Sequence, residues 1–449
     1  MQSWQQSSLN LARLETKRHE KLSGARSILL LLLLCTCVPG GEVQTADWHR
    51  KKFPGKEAYH TYVSTAAVPV EDREGLIKAL AFMTATSSRQ YIVEYCVPER
   101  ISPTLWHLDL ERLKWNVRDW IKVLESYPYY HGQSYPLVVR ADWLLVQLAD
   151  SDASDAHYRL LYGSQNVPKT IQDFRAFWGV DSSPELKFGL IEGKSGVSVQ
   201  SFRWLENRPV SRGYYWETKD VLKIQPGADP LEAPDGNFKA DGSEYILGTH
   251  KVSIKKGTRG VLQVYLLTNG QGKVVNQAPT DLVEDHSRFR NLAAIRTSGS
   301  CIGCHITGIL EPTTNELRSL IKLGVDIYAK DKKKQEAVEL FHLGDVDSEI
   351  KHNQELYARG VKAVNHLTPQ ENAAGFKKAV EDYDKDLSLE DMAREHYCKP
   401  EELKFALAYY GALPARLAAL AHSKPIPRHT AEAHWYLVRQ ALLKWNDSR

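Results

Sequence analysis

The sequence predicts an α+β fold, with a mixed α/β N-terminal region, a β-rich middle and an all-α C-terminal region. Three patterns carry this prediction. Segments with period-two alternation and segments with apolar residues every three or four positions follow one another up to about residue 195. Short β-type segments punctuated by glycine occupy residues 195–256, and amphipathic stretches that open with capping boxes occupy the residues after 305. A chain of 449 residues can form two or three domains, each with its own core.

Residues 1–46 are predicted to be a signal peptide or an N-terminal anchor. Basic residues precede the apolar run Ile28–Leu34, which continues through Cys35-Thr36-Cys37-Val38. This run is too short to span a bilayer, but it has the length of a signal-peptide h-region. We therefore expect a periplasmic or otherwise extracytoplasmic protein, with cleavage near Gly40 or Ala46 or with the segment retained as a membrane tether.

Residues 47–250 are predicted to form an α+β domain of unknown role. The stretch over 47–69 has no sustained apolar period and is predicted to lack regular structure. Beyond it the periodicity predicts helices over 71–85 and 115–124, and strands over 105–110, 137–139, 198–205, 214–216 and 245–247. We interpret His157, an isolated histidine in this region, as a structural residue and not as a ligand.

Residues 251–449 are predicted to contain one β-hairpin and, after it, helices alone. Val261–Leu267 is β-prone, and Asn269-Gly270-Gln271-Gly272 supplies a tight turn before the chain returns through Lys273-Val274-Val275. Capping boxes at Thr313-x-x-Glu316 and Thr368-Pro369-Gln370-Glu371 open two helices. Further helices are predicted over 335–343, 348–364, 370–382, 389–396, 401–410 and 431–445.

The stretch Ser300–His305 contains a C-x-x-C-H motif. Two thiols one helical turn apart can add to the two vinyl groups of a haem, and the histidine that follows can bind the iron from below. We therefore predict one covalent haem c, with Cys301 and Cys304 as thioether residues and His305 as the proximal iron ligand. The C-terminal region would then be cytochrome c-like. Export agrees with this prediction, because haem attachment of this kind takes place on the outer side of the bacterial inner membrane.

Three other uses of the two thiols are disfavoured. A thioredoxin-like dithiol would lie in a tight βαβ pattern, which is not found around Cys301. A structural zinc site would need two further ligands, and no second cysteine pair is nearby. A disulfide between Cys301 and Cys304 would close a small, strained ring. Cys96 and Cys398 could pair with each other in an oxidising compartment, but we favour two free thiols.

The sixth iron ligand is left open by the sequence. Methionine would raise the reduction potential, a second histidine would lower it, and an open position would permit ligand binding or peroxide chemistry. The candidates downstream of the motif are Met392, His342, His366 and His396.

Several basic side chains lie shortly before the motif: His286, Arg288, Arg290 and Arg296. Guanidinium groups at these positions could bind the haem propionates, although a solvated surface is the more common role.

The overall charge gives no case for nucleic-acid binding. Lys and Arg number 58 against 55 Asp and Glu, so the formal charge is only +3. The Ser388–Tyr410 segment resembles a helix-turn-helix pair, but without a basic surface we interpret it as two packed helices. The expected partners are redox proteins that the sequence does not identify.

Several further segments between residues 60 and 420 carry a family resemblance together with the motif. They are Val139-Arg140-Ala141-Asp142-Trp143, Asn207-Arg208 to Tyr215-Trp216, Asp241-Gly242-Ser243-Glu244, Gln263-Val264-Tyr265 and Ala278-Pro279-Thr280. With Ser300–His305 they resemble a largely uncharacterised family of exported mono-haem c-type cytochromes of the kind found in planctomycete bacteria. The resemblance implies a haem carrier with a large additional domain, and it assigns roles only to Cys301, Cys304 and His305. Lys256–Gly260 departs from the family pattern, so no contact there is transferred.

The sequence favours single-electron transfer through one haem, and thus an electron-transfer protein over an enzyme. One alternative is a peroxidase-like haem enzyme or a gas-binding protein with an open sixth iron position. Another is a module in which residues 60–250 bind a cell-wall or carbohydrate partner and the haem connects that module to electron transfer.

Overall fold

The structure is a computed structural model that describes residues 40–130, 132, 134–150, 156–183, 188–192, 202–221, 239–278, 290, 295–310, 328–342, 346–411 and 413–448. These residues form two β-sheets and many helices, so the predicted α+β fold is confirmed. The apolar leader, the helix predicted to open at Thr313, His286 and Arg288 lie outside the described residues. Within the described ranges, no helix has both the length and the apolar character needed to cross a membrane.

The first sheet has four strands in the order β2-β3-β1-β4. The strands are β1 His60–Ser64, β2 Glu99–Arg100, β3 Leu105–Asp109 and β4 Val138–Arg140. Strand β3 pairs antiparallel with β1 and β2, and β4 pairs parallel with β1. The predicted irregular stretch over 47–69 is therefore wrong, because it contains β1. All five residues of β1 are buried, and a strand covered on both faces shows no polar and apolar alternation.

Seven α-helices are described in the first 180 residues: α1 Gly40–Arg50, α2 Arg73–Thr86, α3 Leu110–Leu113, α4 Val117–Leu124, α5 Ala141–Ala149, α6 Ala156–Tyr162 and α7 Ile171–Trp178. Residues of α6 and α7 share a hydrophobic cluster with Tyr215 and Tyr245 of the second sheet. The predicted helices over 71–85 and 115–124 correspond to α2 and α4. The strands predicted over 105–110 and 137–139 correspond to β3 and β4.

The second sheet is an antiparallel meander in the order β5-β6-β7-β8-β9. Its strands are β5 Phe188–Glu192, β6 Phe202–Arg208, β7 Tyr214–Val221, β8 Gly242–Ser253 and β9 Thr258–Asn269. Strand β8 pairs with β9 along its whole length, from Gly242 opposite Asn269 to Ser253 opposite Thr258. The domain boundary predicted between residues 250 and 251 falls inside β8.

The predicted hairpin between Val261–Leu267 and Lys273–Val275 forms, but its second arm is short. The turn is held because Asn269 Oδ1 accepts the N–H groups of Gln271 and Lys273. The returning chain runs antiparallel to the end of β9 and bridges Thr268 at Val274, where Val275 N–H donates to the Leu267 carbonyl at 3.0 Å. Strand β8 pairs with the opposite edge of β9 over its whole length.

The elements that the structure describes after His305 are all helices, as predicted for the C-terminal region. They follow the motif helix α8 Gly299–Cys304 and are α9 Lys332–His342, α10 Val346–Asn365, α11 Pro369–Asp384, α12 Leu389–Glu395, α13 Pro400–Tyr410, α14 Ala415–Ala421, α15 Arg428–Ala433 and α16 Trp435–Asp447. The capping box that opens α11 is confirmed, with Thr368 and Glu371 bonding each other's backbone N–H. The single helix predicted over 431–445 is interrupted at His434.

One continuous hydrophobic core contains residues from both sheets, from α2, α5, α10 and α11, and Cys301 and Ile302 of the motif. Helix α10 approaches β9 closely, because Gly260 and Gly360 meet without side chains. A Cβ atom on Gly360 would lie 1.9 Å from the carbonyl oxygen of Val261. A second cluster lies within α12–α16 and contains Met392.

A buried ion network ties β4 to the C-terminal helices. Arg140, which is 1 % exposed, donates to Asp142 Oδ1 from Nε at 3.0 Å and to Glu395 Oε1 from Nη2 at 2.8 Å. Arg428 of α15 donates to the same Glu395 oxygen at 2.8 Å. Burial alone would raise the pKa of Glu395, but the two guanidinium groups outweigh it and hold the pKa at about 2. The carboxylate is therefore charged inside the core, and removal of either arginine would leave it short of a partner.

Three histidines that the sequence analysis did not single out pack together on the first sheet. His60 Nδ1 lies 2.8 Å from His107 Nε2, and His49 Nδ1 lies 2.9 Å from the hydroxyl of Tyr62. The rings of His49 and His107 are 5.0 Å apart, and His107 Nδ1 lies 3.3 Å from Glu99 Oε2. Burial lowers the pKa of all three histidines, and that of His107 falls to about 4.

The stability of the protein is predicted to fall between pH 6.5 and 4 because of His107. The unfolded chain takes up a proton near about pH 6.5, whereas folded His107 takes it up near pH 4. The contribution of neutral His107 to the free energy of unfolding is therefore complete above the pKa of the unfolded chain. It is lost as the pH falls towards the pKa of the folded protein, by up to about 1.4 kcal/mol per pH unit. In urea unfolding, His107→Gln should lose less stability than wild type over this interval. The exposed His352→Gln serves as the control with an unchanged slope; equal slopes for H107Q and wild type would contradict the prediction.

Candidate functional site

The C-x-x-C-H motif lies on the short helix α8. The helix forms because Ile302 N–H donates to Ser298 at 2.9 Å and His305 N–H donates to the carbonyl of Cys301 at 2.7 Å. Cys301 and Cys304 are therefore one helical turn apart, as the motif predicted. Neither cysteine is in a disulfide, and Cys301 is buried whereas Cys304 is half-buried.

The imidazole of His305 is 5 % exposed and is held by a turn at the end of α8. Gly308 N–H donates to the carbonyl of His305, and His305 Nδ1 lies 3.0 Å from the carbonyl oxygen of Gly308. Nδ1 must carry a proton in this bond, so Nε2 is the ring nitrogen that could bind a metal ion. Gly308 has φ +100°, and a Cβ atom there would lie 3.2 Å from Tyr357, so the turn requires glycine.

A buried carboxylate faces the other side of the imidazole. Glu244 of β8 places Oε1 3.3 Å from His305 Nε2, and the Cys301 thiol also hydrogen-bonds to this side chain. Behind it, Arg203 Nη1 lies 3.7 Å from Glu244 Oε2, while Arg203 Nε donates to Asp220 at 2.8 Å. The second sheet therefore forms a charged floor beneath the motif.

The charges of Glu244 and Arg203 determine the protonation state of the Cys301 thiol. Burial alone would raise the pKa of Glu244, but His305 and Arg203 outweigh it, and the pKa falls to about 2. Burial and the Glu244 carboxylate together raise the pKa of Cys301 well above its ordinary value. At neutral pH the site therefore holds an ionised Glu244 next to a protonated Cys301.

Glu244 is the functional residue that sequence reasoning missed. The only signal was its position in Asp241–Glu244, one of the segments that carry the family resemblance. Its significance depends on a partner 61 positions later, which no local pattern reveals. The structure shows it as a carboxylate in a strand interior, where a buried charge needs a specific partner.

The donor types and their spacing are those that a covalently bound haem needs. They are two thiols one turn apart and an imidazole whose Nδ1 is committed to a main-chain carbonyl, as is usual for histidines that bind metals through the other nitrogen. An iron ion at Nε2 would take the place that Glu244 now holds beside that nitrogen. Among the described residues, no group of three or more His, Cys, Asp or Glu side chains is arranged to hold a metal ion.

The arginines before the motif bind carboxylates. Arg290 Nε donates to Asp384 at 2.6 Å, and Arg296 Nη1 donates to Asp150 at 2.9 Å. Arg290 also pairs with Asp150. These groups line a cavity of about 650 Å³ beside α5 and α11. The use of Arg290 and Arg296 for haem propionates stays a prediction, and it would have to compete with these ion pairs.

Three of the candidate sixth ligands, Met392, His366 and His396, do not contact His305 within the described residues. Met392 is fully buried in the cluster formed by α12–α16, and His396 stacks on Trp435 with 3.7 Å between ring centres. His366 is exposed, and His342 ends α9. The polar groups around the His305 ring are the Gly308 carbonyl and the Glu244 carboxylate.

The remaining residues singled out by the sequence fill the interior. Cys96 is buried and donates weakly to the carbonyl of Ile92 at 3.5 Å, and Cys398 is half-buried beside α12. Both are free, as we favoured. His157 is buried on α6, where burial lowers its pKa to about 4, so it is neutral at pH 7.

Comparisons of the chain with protein-family models, with curated proteins and with solved structures found no match.

Gly308→Ala is predicted to loosen His305. An alanine at φ +100° should lower the free energy of unfolding by about 1–2 kcal/mol and withdraw the carbonyl that holds Nδ1. Urea unfolding measures the first effect, and faster exchange of the His305 Nδ1–H signal in NMR spectra measures the second.

The matched control is Gly375→Ala on α11, where an added Cβ atom meets no atom within 4 Å. It should stabilise the protein by about 0.5–1 kcal/mol. If G308A has wild-type stability and wild-type exchange at His305, the turn does not hold the imidazole as described.

Proposed function

We propose that the protein is an extracytoplasmic c-type cytochrome that transfers single electrons through one haem. Cys301 and Cys304 would hold the haem as thioethers, and His305 would be its proximal ligand. The observation that carries the proposal is the bond from His305 Nδ1 to the Gly308 carbonyl, because it leaves Nε2 as the nitrogen that could bind iron, directly after two thiols one helical turn apart.

The surroundings of the motif suit an electron carrier. A covalently attached haem supplies reversible one-electron chemistry at its iron. Cys301 and Ile302 belong to the main hydrophobic core, so the chain excludes water from one side of α8. The Gly308 carbonyl fixes the ring plane of His305, and a fixed ligand reduces the rearrangement that accompanies each electron transfer.

The proposal places the protein outside the cytoplasm, with unidentified redox proteins as partners and with the N-terminal segment as a removed signal or a membrane tether. The apolar run before residue 40 and the resemblance to exported planctomycete cytochromes support this location.

A second candidate function is a haem enzyme or gas-binding protein with an open sixth position. It is favoured by one observation: Met392 is buried in the cluster of α12–α16 and His396 is stacked on Trp435, and neither contacts His305 within the described residues. An iron without a second protein ligand would bind small molecules.

The proposed function predicts covalent haem attachment. Full-length protein produced in a host with cytochrome c maturation machinery should be coloured and should retain its pigment in acidified acetone, because thioether bonds resist extraction. The double variant C301S and C304S should lose this pigment, whereas the control Cys96→Ser should keep it. A colourless wild type, or a pigment that the acid extracts, would refute the proposed function.

Carbon monoxide separates the two candidate functions. In electron transfer we expect the spectrum of the dithionite-reduced protein to be low-spin and unchanged by carbon monoxide, because both axial positions are filled. A high-spin spectrum that shifts on addition of the gas would instead support the open-site candidate.

A further inference from the structure

We propose that the tip of the β8–β9 hairpin and the surface beside it dock the protein onto an anionic lipid bilayer. This surface, here called the hairpin face, consists of Tyr91, Tyr95, Arg112, Lys114 and residues 254–256. It is distinct from the candidate site and goes beyond the proposed function. Glu244 beside the motif and Ser253 at the tip are nine positions apart on β8, which is about 30 Å along a strand.

The tip of the hairpin carries an isoleucine into solvent. Ser253 of β8 pairs with Thr258 of β9, and the exposed residues Ile254-Lys255-Lys256-Gly257 make the turn between them. Gly257 has φ +62° and supplies the left-handed position of this turn. Turns favour small polar residues, whereas Ile254 is a β-branched aliphatic side chain that is 64 % exposed. Turn chemistry therefore does not account for an isoleucine at this position.

The tip is held in place by a carboxylate beneath it. Glu94 Oε1 accepts a hydrogen bond from Ser253 Oγ at 2.7 Å and another from the N–H of Lys255 at 3.0 Å. Glu94 Oε2 accepts from the N–H of Ile254 at 3.2 Å. A loop that is already ordered loses little conformational entropy when it docks, so the tip is preorganised for a partner.

Two exposed tyrosines lie beside the tip, and each has a cation over its ring. The carbonyl of Tyr91 accepts the N–H of Val252 at 2.7 Å, so this residue lies directly against the hairpin. Tyr91 is 46 % exposed and Tyr95 is 39 % exposed. Lys114 Nζ lies 5.8 Å from the centre of the Tyr91 ring, and Arg112 Cζ lies 5.1 Å from that of Tyr95. The hairpin face thus combines aromatic rings with positive charge.

The hairpin face has a local excess of positive charge. Both lysines of the turn are exposed, as are Arg112 and Lys114, whereas the whole chain has a formal charge of only +3. The carboxylates that contact this face are bonded within the protein. Glu94 holds the turn, and Asp109 Oδ2 lies 3.3 Å from Arg112 Nε. Charge complementarity therefore selects a negatively charged partner.

The arrangement of these groups favours a bilayer over an acidic protein. The aliphatic side chain lies in the turn, two lysines follow it directly, and the tyrosines lie at the base of the turn. If Ile254 enters the boundary of the acyl chains, the lysines reach the lipid phosphate groups and the tyrosines lie at the level of the headgroups, where such side chains are stabilised. A convex tip also suits a deformable bilayer, which needs no matching cleft.

The test is co-sedimentation of the full-length protein with vesicles of equal parts phosphatidylglycerol and phosphatidylcholine. Wild type should bind these vesicles more tightly than pure phosphatidylcholine vesicles, and salt should weaken the binding because it screens the charges. Ile254→Ser should weaken the binding about tenfold. The double variant K255Q and K256Q should weaken it about twentyfold, because each lysine near an anionic surface contributes about fivefold.

Matched controls remove the same chemical groups elsewhere. The double variant K332Q and K333Q removes two neighbouring exposed lysines of α9, which lies against β5 at the other edge of the second sheet. Val70→Ser removes another aliphatic side chain, which is 73 % exposed. Both controls should bind the anionic vesicles as wild type does.

Hydrogen–deuterium exchange locates the contact on the chain. Any binding through the apolar leader is common to wild type and all variants, so the backbone amides of residues 252–258 are followed directly. In wild type they should exchange more slowly with the anionic vesicles than in solution, and this protection should be lost in I254S.

Unchanged exchange of the hairpin amides on anionic vesicles would overturn the proposal, and so would equal vesicle binding by the hairpin variants and their controls. If the vesicles leave these amides unchanged but polyglutamate protects them, the face docks an acidic protein and the bilayer proposal is wrong. Haem content enters none of these measurements. A colourless protein that still binds the vesicles through the hairpin therefore refutes the proposed function alone.

Discussion

The contact between Glu244 and His305 is the interaction on which the arrangement of the site depends. A carboxylate and an imidazole withdrawn from water both require polar partners, and each of these residues supplies one to the other across two elements. The meander of the second sheet brings Glu244 to the site, and the turn at Gly308 brings His305. Helix α8 therefore has one position on the sheet in which both groups are satisfied.

Much of the fold follows from local patterns in the sequence. Helix α11 was predictable because Thr368 and Glu371 form a capping box, and α2 because its apolar residues recur at helical spacing. Strand β1 was not predictable in this way. It is buried on both faces by elements distant in sequence, so its composition reflects the partners it meets and not a solvent-facing alternation.

The candidate site likewise contains residues that a local sequence pattern predicts and one that no local pattern predicts. The arrangement of Cys301, Cys304 and His305 could be predicted because it depends on a local spacing, and the thiols do lie one helical turn apart. Their roles in binding haem stay a prediction. Glu244 could not be predicted, because its contact with His305 arises only after five strands have paired. The same holds for the histidine cluster of the first sheet, whose members come from α1, β1 and β3 and show no common spacing.

The buried ion network joins parts of the chain that are far apart in sequence. Arg140 and Glu395 are separated by 255 positions, so β4 has its full set of partners only when almost the whole chain is present. If the protein is exported as proposed, Cys301, Cys304 and His305 cross the membrane before Glu395 and Arg428. The interior around α8 would then still be incomplete, and an enzyme that attaches haem would reach Cys301 before the finished fold encloses it.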